Sequence, residues 1–414
     1  MMSQSPVQIS QPFKFNPYEP EYRDNLYEIY DYMRSHEPVH QGLFKQWYLT
    51  RYTDVKAVLQ EPRFQEVPIP EIICNKSRYL HNTEKNLDEL AKSVSQWLLF
   101  LAPPEHTRMR TLISKALKLQ NLQHKQFQVQ KIANKLVSKI KQQRHFDVIS
   151  DFAEQLPAQV NAHILGLPNE DSDLLQQWFQ PLIHILDPLA SINICSTLNQ
   201  IALESAEYFR AQIAQRRRHP HSDLISALIA VEKDGEKLTE QEIVSTCLML
   251  STAGMTTTAA AIGNSVLALL RHPDQLELLT HNPEILPTAI EELMRYDSPV
   301  QFVVRRPTEV VEIRGITIQP GESVTLCLGA ANRDSERFFQ PDRLDLLRKD
   351  NQHLSFATGI HLCIGAALAR IQLPIAISTL VRQIPNLRLA TGQLEYHKYL
   401  IIRHLKSLHL AFSD

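Results

Sequence analysis

From about Thr239 to Arg271 the chain offers thirty-odd residues without a proline, and the middle, Cys247 to Gly263, is apolar or small on every face. A helix of that length spans roughly 50 Å at ~1.5 Å per residue. Lacking a polar stripe, it has to be covered on all sides, so the rest of the chain must wrap around it. Inside this rod, Ala253-Gly254-Met255-Thr256-Thr257-Thr258 sets a glycine and three threonines in a row. These are poor helix formers, since the hydroxyls compete for backbone carbonyls. A loosened stretch in a buried rod is a place to bind something.

The remaining pattern supplies the wrapping. Apolar residues at helical spacing recur near 22–35, 84–101, 105–118, 124–142, 148–165, 198–218, 222–232, 285–297 and 362–383,. Strand signals are few: Gln46–Arg51, a meander of Val310–Ile313, Ile316–Ile318 and Ser323–Leu328 around Gly315 and Pro320-Gly321, and an alternating tail over Ile401–Phe412,. We expect a mainly α fold with small β-sheets, one compact domain over 1–414, opened by an extended segment over 1–20. No repeat, low-complexity tract or long linker divides it.

Composition excludes several classes. Five scattered cysteines (Cys74, Cys195, Cys247, Cys327, Cys363) form no C-x-x-C pair, which fits reduced thiols and not a disulfide framework,. The first eighteen residues lack a signal pattern, and no run is read as the roughly 18 apolar residues of a membrane span. A soluble, cytoplasmic monomer is expected. A net charge of −2 gives no global attraction to nucleic acid or anionic membrane,. Locally the balance differs. Between His106 and Phe146 there is no Asp or Glu, against Arg108, Arg110, Lys115, Lys118, Lys125, Lys131, Lys135, Lys139, Lys141 and Arg144. This is either a solvated helix face or a surface for an acidic partner. Arg216-Arg217-Arg218 reads as an exposed helix end.

The segment 353–370 carries the chemistry. Phe356, Gly359, Cys363 and Gly365 fall in the pattern F-x-x-G-x-x-x-C-x-G, ahead of a helix read from Ile364. The glycines let the loop backbone lie against something broad, and Phe356 gives it an aromatic wall. A cysteine at a helix N-terminus is favoured as a thiolate, so the loop reads as a metal-ligand arrangement.

That loop resembles the haem-ligand loop of the cytochrome P450 family, and the resemblance extends from about residue 20 to the C-terminus. It implies the P450 fold, haem b held by the Cys363 thiolate, and propionates met by His106, Arg110, Arg305 and His361. Glu292-Leu293-Met294-Arg295 matches the family's E-x-x-R, with Arg343 at the position of the arginine that joins the pair. Thr257 matches the alcohol of the family's proton relay in the rod. The acid beside it is replaced by Thr256, which cannot supply a proton near neutral pH. Ala357 replaces a usual loop glycine, and Ala102 an acid often found before Pro104-Glu105-His106. Substrate-pocket positions map to Met249, Ala253, Val300, Gln301, Val303 and Ile401, and substrate-covering loops to Pro68–Trp97 and Trp178–Ile194.

The implied activity is oxidation of a lipophilic secondary-metabolite-type molecule, aromatic ones included, with dioxygen and two electrons. A thiolate ligand favours O–O cleavage. There is no dinucleotide fingerprint, so electrons are expected from a ferredoxin and its reductase, docking on the basic 108–144 stretch. The change at Thr256 keeps a second enzyme open, a haem–thiolate oxidase coupling two aromatic rings without oxygen insertion. A haem–thiolate gas sensor is the non-enzyme alternative.

Overall fold

The computed structural model describes residues 13–413 apart from 20, 21, 23, 81–85, 121–124, 144, 188–189 and 391–393. Arg144 and most of the segment 1–20 therefore lie outside the described residues, as do parts of both expected substrate-covering loops. What is described of the N-terminus is anchored by Phe13 and Phe15, which are buried against Tyr22, Tyr30, Tyr48 and Phe302.

Six helices position the site: α1 Glu105–Leu119, α2 Gln126–Ile140, α3 Gln155–Leu165, α4 Glu240–Arg271, α5 Leu286–Tyr296 and α6 Ala366–Gln383. The rod is α4, and its start is fixed by a reciprocal cap. Thr239 Oγ1 accepts from the Glu242 N–H at 3.3 Å, and Glu242 Oε2 accepts from the Thr239 N–H at 2.8 Å,. From Glu242 to Leu269 nearly every side chain is buried. By length and composition alone α4 is long and apolar enough to cross a bilayer, which corrects the expectation that no run is long enough. Protein covers it instead, with α3, α6 and the helices Ser172–Leu182 and Ile192–Arg218 packed against it.

A five-stranded sheet forms the other part, from β1 Val39–Gln41, β2 Trp47–Leu49, β3 Phe64–Glu66, β4 Phe302–Pro307 and β5 Val324–Cys327, in the order β1-β2-β5-β4-β3. The expected meander is divided. Among the described residues Val311–Ile313 and Ile316–Ile318 pair only with each other, while β5 lies between β2 and β4. Every side chain of β5 is buried, and a strand apolar on both faces needs cover on both. Of the tail, only His409–Ala411 is a strand, in a small sheet with Arg388–Leu389 and His145–Asp147.

Five α-helices among the described residues have no counterpart in the sequence reading: Tyr52–Gln60, Ile69–Leu80, Ser172–Leu182, Pro273–His281 and the short Leu328–Ala331. Ile69–Leu80 falls wholly in a segment read as a covering loop, and Ser172–Leu182 enters the other only from Trp178 onward. Arg216 also departs from expectation. It is buried in an ion pair with Asp223 at 3.0 Å, so only Arg217 and Arg218 face outward.

Candidate active site

The sulfur of Cys363 sits in a loop closed by its own backbone. The Cys363 N–H donates to the Phe356 carbonyl at 2.9 Å. Gly359 has φ +76°, and a Cβ there would come within 2.3 Å of the Leu59 carbonyl oxygen, so only glycine fits where the loop presses on Tyr52–Gln60. Ala357 adopts φ 55°, a left-handed conformation that costs an L-residue ~1–2 kcal/mol. This explains why a glycine suits that position better. Gly365 meets no tight contact, and α6 begins after it at Ala366.

Helix placement does not make the thiol acidic. Burial pushes Cys363 above the ordinary cysteine range, against the pull of the Gly365 and Ala366 N–H groups, Arg110 and Arg370. The expected thiolate therefore needs a bound cation, which deprotonates a coordinating thiol outright. Cys363 is nonetheless accessible.

Phe356 is held from behind. The Arg370 guanidinium lies 4.6 Å over its ring, and Glu291 grips Arg370 through two bonds of 2.8 Å while meeting His353 Nε2 at 3.0 Å. Burial would raise the Glu291 carboxyl, but Arg370 and His353 outweigh it and lower the pKa to about 2. A depressed carboxylate stabilises the fold fully above its unfolded pKa and loses that contribution as pH falls toward the folded value. Glu291→Gln should thus destabilise by ~1–3 kcal/mol at neutral pH, and the deficit should shrink from about pH 4.5 down to about 2 in denaturant titrations. A constant deficit across that range would remove the ion pair as its cause.

The four expected propionate partners converge. Register sets Glu66 of β3 opposite Arg305 of β4, and Glu66 Oε1 lies 3.2 Å from Arg305 and 2.9 Å from His361 Nε2. The His361 ring packs on that of His106 at 4.2 Å, and Arg110 donates to the Leu362 carbonyl at 2.6 Å. Burial would raise the Glu66 carboxyl, yet His361 and Arg305 hold it below the usual range. The sequence reading missed Glu66, whose only signal is the pairing of β3 with β4. Burial, then His361 and Arg110, lower the His106 pKa to about 4. Its Nε2 is buried without a hydrogen-bond partner among the described residues.

Midway along its length, α4 interrupts its own burial. Ala253 is exposed, and Leu250, Gly254 and Thr257 are partly so, in a stretch from Glu242 to Leu269 that is otherwise buried. Thr257 Oγ1 donates to the Ala253 carbonyl at 2.6 Å, which leaves its lone pairs as acceptors. Thr256 lies off this stripe, buried, its hydroxyl without a partner among the described residues. Two expected pocket positions are corrected. Met249 is packed in the core, and Leu250 takes its place on the accessible stripe. Gln301 turns away, donating to the Ser298 carbonyl at 2.6 Å and accepting from Tyr30 at 3.1 Å. Val300, Val303 and Ile401 are half-buried, and Val300 bridges to Ile402 of the tail.

Beneath the site, Glu292 and Arg295 are fully buried and joined by bonds of 2.7 and 2.9 Å. The arginine that completes them is Arg348, at 3.0 Å from Glu292. Arg343 is exposed and contributes only its carbonyl to Arg295, at 3.3 Å.

These residues fit a haem. The unpartnered His106 Nε2, the arginines beside it, an accessible sulfur and an accessible stripe on α4 suit a flat, dianionic, iron-bearing group. Cys363 with His106, Arg110, Arg305 and His361 would hold haem b there, and the haem would supply the activation of dioxygen for oxidation of a substrate.

Comparison with known proteins agrees. The cytochrome P450 family model matches residues 159–384. The chain is 38% identical over 396 residues to the biotin biosynthesis cytochrome P450 of Bacillus subtilis (strain 168), covering 95% of this chain and 97% of the relative. It is 32% identical over 392 residues to the vitamin D(3) 25-hydroxylase of Pseudonocardia autotrophica, covering 93% of each. Among solved structures, P450BioI bound to an acyl carrier protein ligated with hexadec-9Z-enoic acid superposes with a TM-score of 0.87 at 38% identity, covering 95% of this chain and 99% of that one. CalO2 superposes at 0.89 with 32% identity, covering 97% and 99%. With the loop, the cation set and the fold all in agreement, this chain belongs to the cytochrome P450 family of haem–thiolate monooxygenases.

Proposed function

We propose that the substrate is a lipophilic small molecule into which one oxygen atom is inserted, with electrons from a separate acidic ferredoxin. The observation that carries this is the accessible stripe of α4. Leu250, Ala253, Gly254 and Thr257 present methyl groups, backbone and one hydroxyl, with no charge. An apolar molecule gains by leaving water there, and no fixed ion demands a counter-charge. Relatives named for biotin, polyketide and vitamin D chemistry support the lipophilic class.

A basic face supports the electron donor. Lys131, Lys135 and Lys139 of α2 are exposed at four-residue spacing. α2 is tied to α6, the helix after Cys363, by Gln130 to Thr379 and by Gln383 to Asn134, each at 2.8 Å. Arg108 is occupied by Glu105 and Glu242, so the part of the basic stretch left for a partner is narrower than its sequence.

Thr256 favours one second reading, the coupling of two aromatic rings without oxygen insertion, because that position offers no titratable group. Labelled dioxygen separates the two. For insertion, one labelled atom is expected in the product, and Thr257→Ala should divert reducing equivalents to peroxide. For coupling, the product carries no label, and Thr257→Ala should still form product when peroxide replaces dioxygen and electrons. Unlabelled product from wild type sinks the insertion reading.

A further inference from the structure

Among residues not assigned to the haem, three side chains meet where the C-terminal hairpin packs on the start of α3. Glu154 immediately precedes α3. His397 and His404 stand across the hairpin, where the His397 N–H donates to the His404 carbonyl at 2.8 Å. One ligand atom from each of the three lies within 4.8 Å of the others. The two imidazoles stack at 5.1 Å between centroids.

His404 makes the cluster more than a coincidence of polar groups. It is 0% exposed, and neither ring nitrogen has a hydrogen-bond partner among the described residues. A buried imidazole normally has one nitrogen donating and the other accepting. Glu154 is already oriented, since Gln180 donates to its Oε1 at 2.8 Å and Gln176 to its Oε2 at 3.1 Å. Each oxygen still has a lone pair free, and a ligating carboxylate is commonly steered by such outer hydrogen bonds. Lys406, the nearby cation on the hairpin, pairs outward with Glu395 at 2.8 Å.

We propose that Glu154, His397 and His404 bind one divalent transition-metal ion of the zinc class. Two imidazoles and a carboxylate are a ligand set that zinc accepts, with water in the fourth place. Bond lengths of ~2.0–2.1 Å put tetrahedral ligand atoms about 3.3 Å apart. The three groups therefore close in by roughly 1.5 Å at most when the ion binds.

The site has a reason to matter for the enzyme. The same hairpin carries Ile401, whose carbonyl accepts from the Gln301 N–H at 2.8 Å, and Ile402, which packs on Ala260 and Ile183. Arg403 offers its carbonyl to Asn264 Nδ2 at 2.9 Å. Ala260 lies three residues beyond Thr257. An ion bridging Glu154 to both histidines clamps this hairpin against α3 and α4, beside the substrate stripe.

The test uses haem-loaded protein with any affinity tag removed, stripped with chelator and titrated with Zn²⁺ by calorimetry, with metal content checked by elemental analysis. One ion per chain is expected, with a rise in thermal midpoint on saturation. His404→Ala, Glu154→Gln and His397→Asn should each weaken binding at least about tenfold. Glu154→Gln and His397→Asn guard against a His404 variant that fails to fold. No saturable binding to wild type overturns the proposal. So does undiminished binding in both Glu154→Gln and His397→Asn, because the ion would then sit elsewhere.

Discussion

Cys363→Ser is expected to abolish the thiolate-type carbon monoxide difference band and, with it, monooxygenase turnover, while the chain still folds. Serine keeps the size of the side chain but removes the soft anionic ligand that tunes the iron. Folding should survive because the loop is closed by backbone: the 363 N–H still reaches the Phe356 carbonyl, and Gly359 still seats against Leu59. Some haem should remain, held by the arginines and histidines at its edge. Among the other cysteines, Cys195, Cys247 and Cys327 are buried, and burial pushes the Cys247 and Cys327 thiols far above the cysteine range. A surviving band would make Cys74 or one of these the ligand and sink the assignment.

Glu292→Gln should cost about 3–5 kcal/mol in urea unfolding, the usual penalty for stranding a buried charge. The carboxylate accepts from Arg295, Arg348, Asn351 and the Asp345 N–H. Arg295 in turn donates to the carbonyls of Asn332 and Pro341 at 2.8 Å each. The pair thereby fastens α5 to the segment 332–351 that leads into the ligand loop, so haem retention should fall along with stability. Arginine replacements separate the two candidate third members. Arg348→Ala should be clearly destabilising, whereas Arg343→Ala should stay within about 0.5 kcal/mol, as an exposed side chain does. Equal losses in the two variants would return Arg343 to the network.

The difference between those two arginines illustrates where sequence reading stops. The E-x-x-R pair is legible because residues three apart share a helix face. The third partner comes from irregular chain, where no period says which side chain turns inward. Met249 failed for a related reason. In a helix that is apolar all round, spacing gives no phase, so Leu250 and Met249 are equivalent until neighbours are placed. Gln301 was placed in the pocket by the family mapping, but its amide found the Ser298 carbonyl and Tyr30. Glu66 had no local signal, since β3 is three residues long.

Local chemistry did fix the essentials. A glycine at positive φ, a cysteine four residues on and a thirty-residue apolar rod are properties of short stretches, and each restricts the backbone or demands burial by itself. They pointed to the ligand loop, and determined the central helix and the helical class. Tertiary structure alone decided which face of the rod stays open, which arginine closes the buried network, and that Glu154 meets His397 and His404. Those outcomes depend on long-range packing and strand register, which couple residues hundreds of positions apart and leave no periodic trace in the chain. The Cys363 thiol is of the same kind: its position in the loop promised an acidic group, but desolvation by the surrounding protein pushes it the other way even though the residue stays accessible.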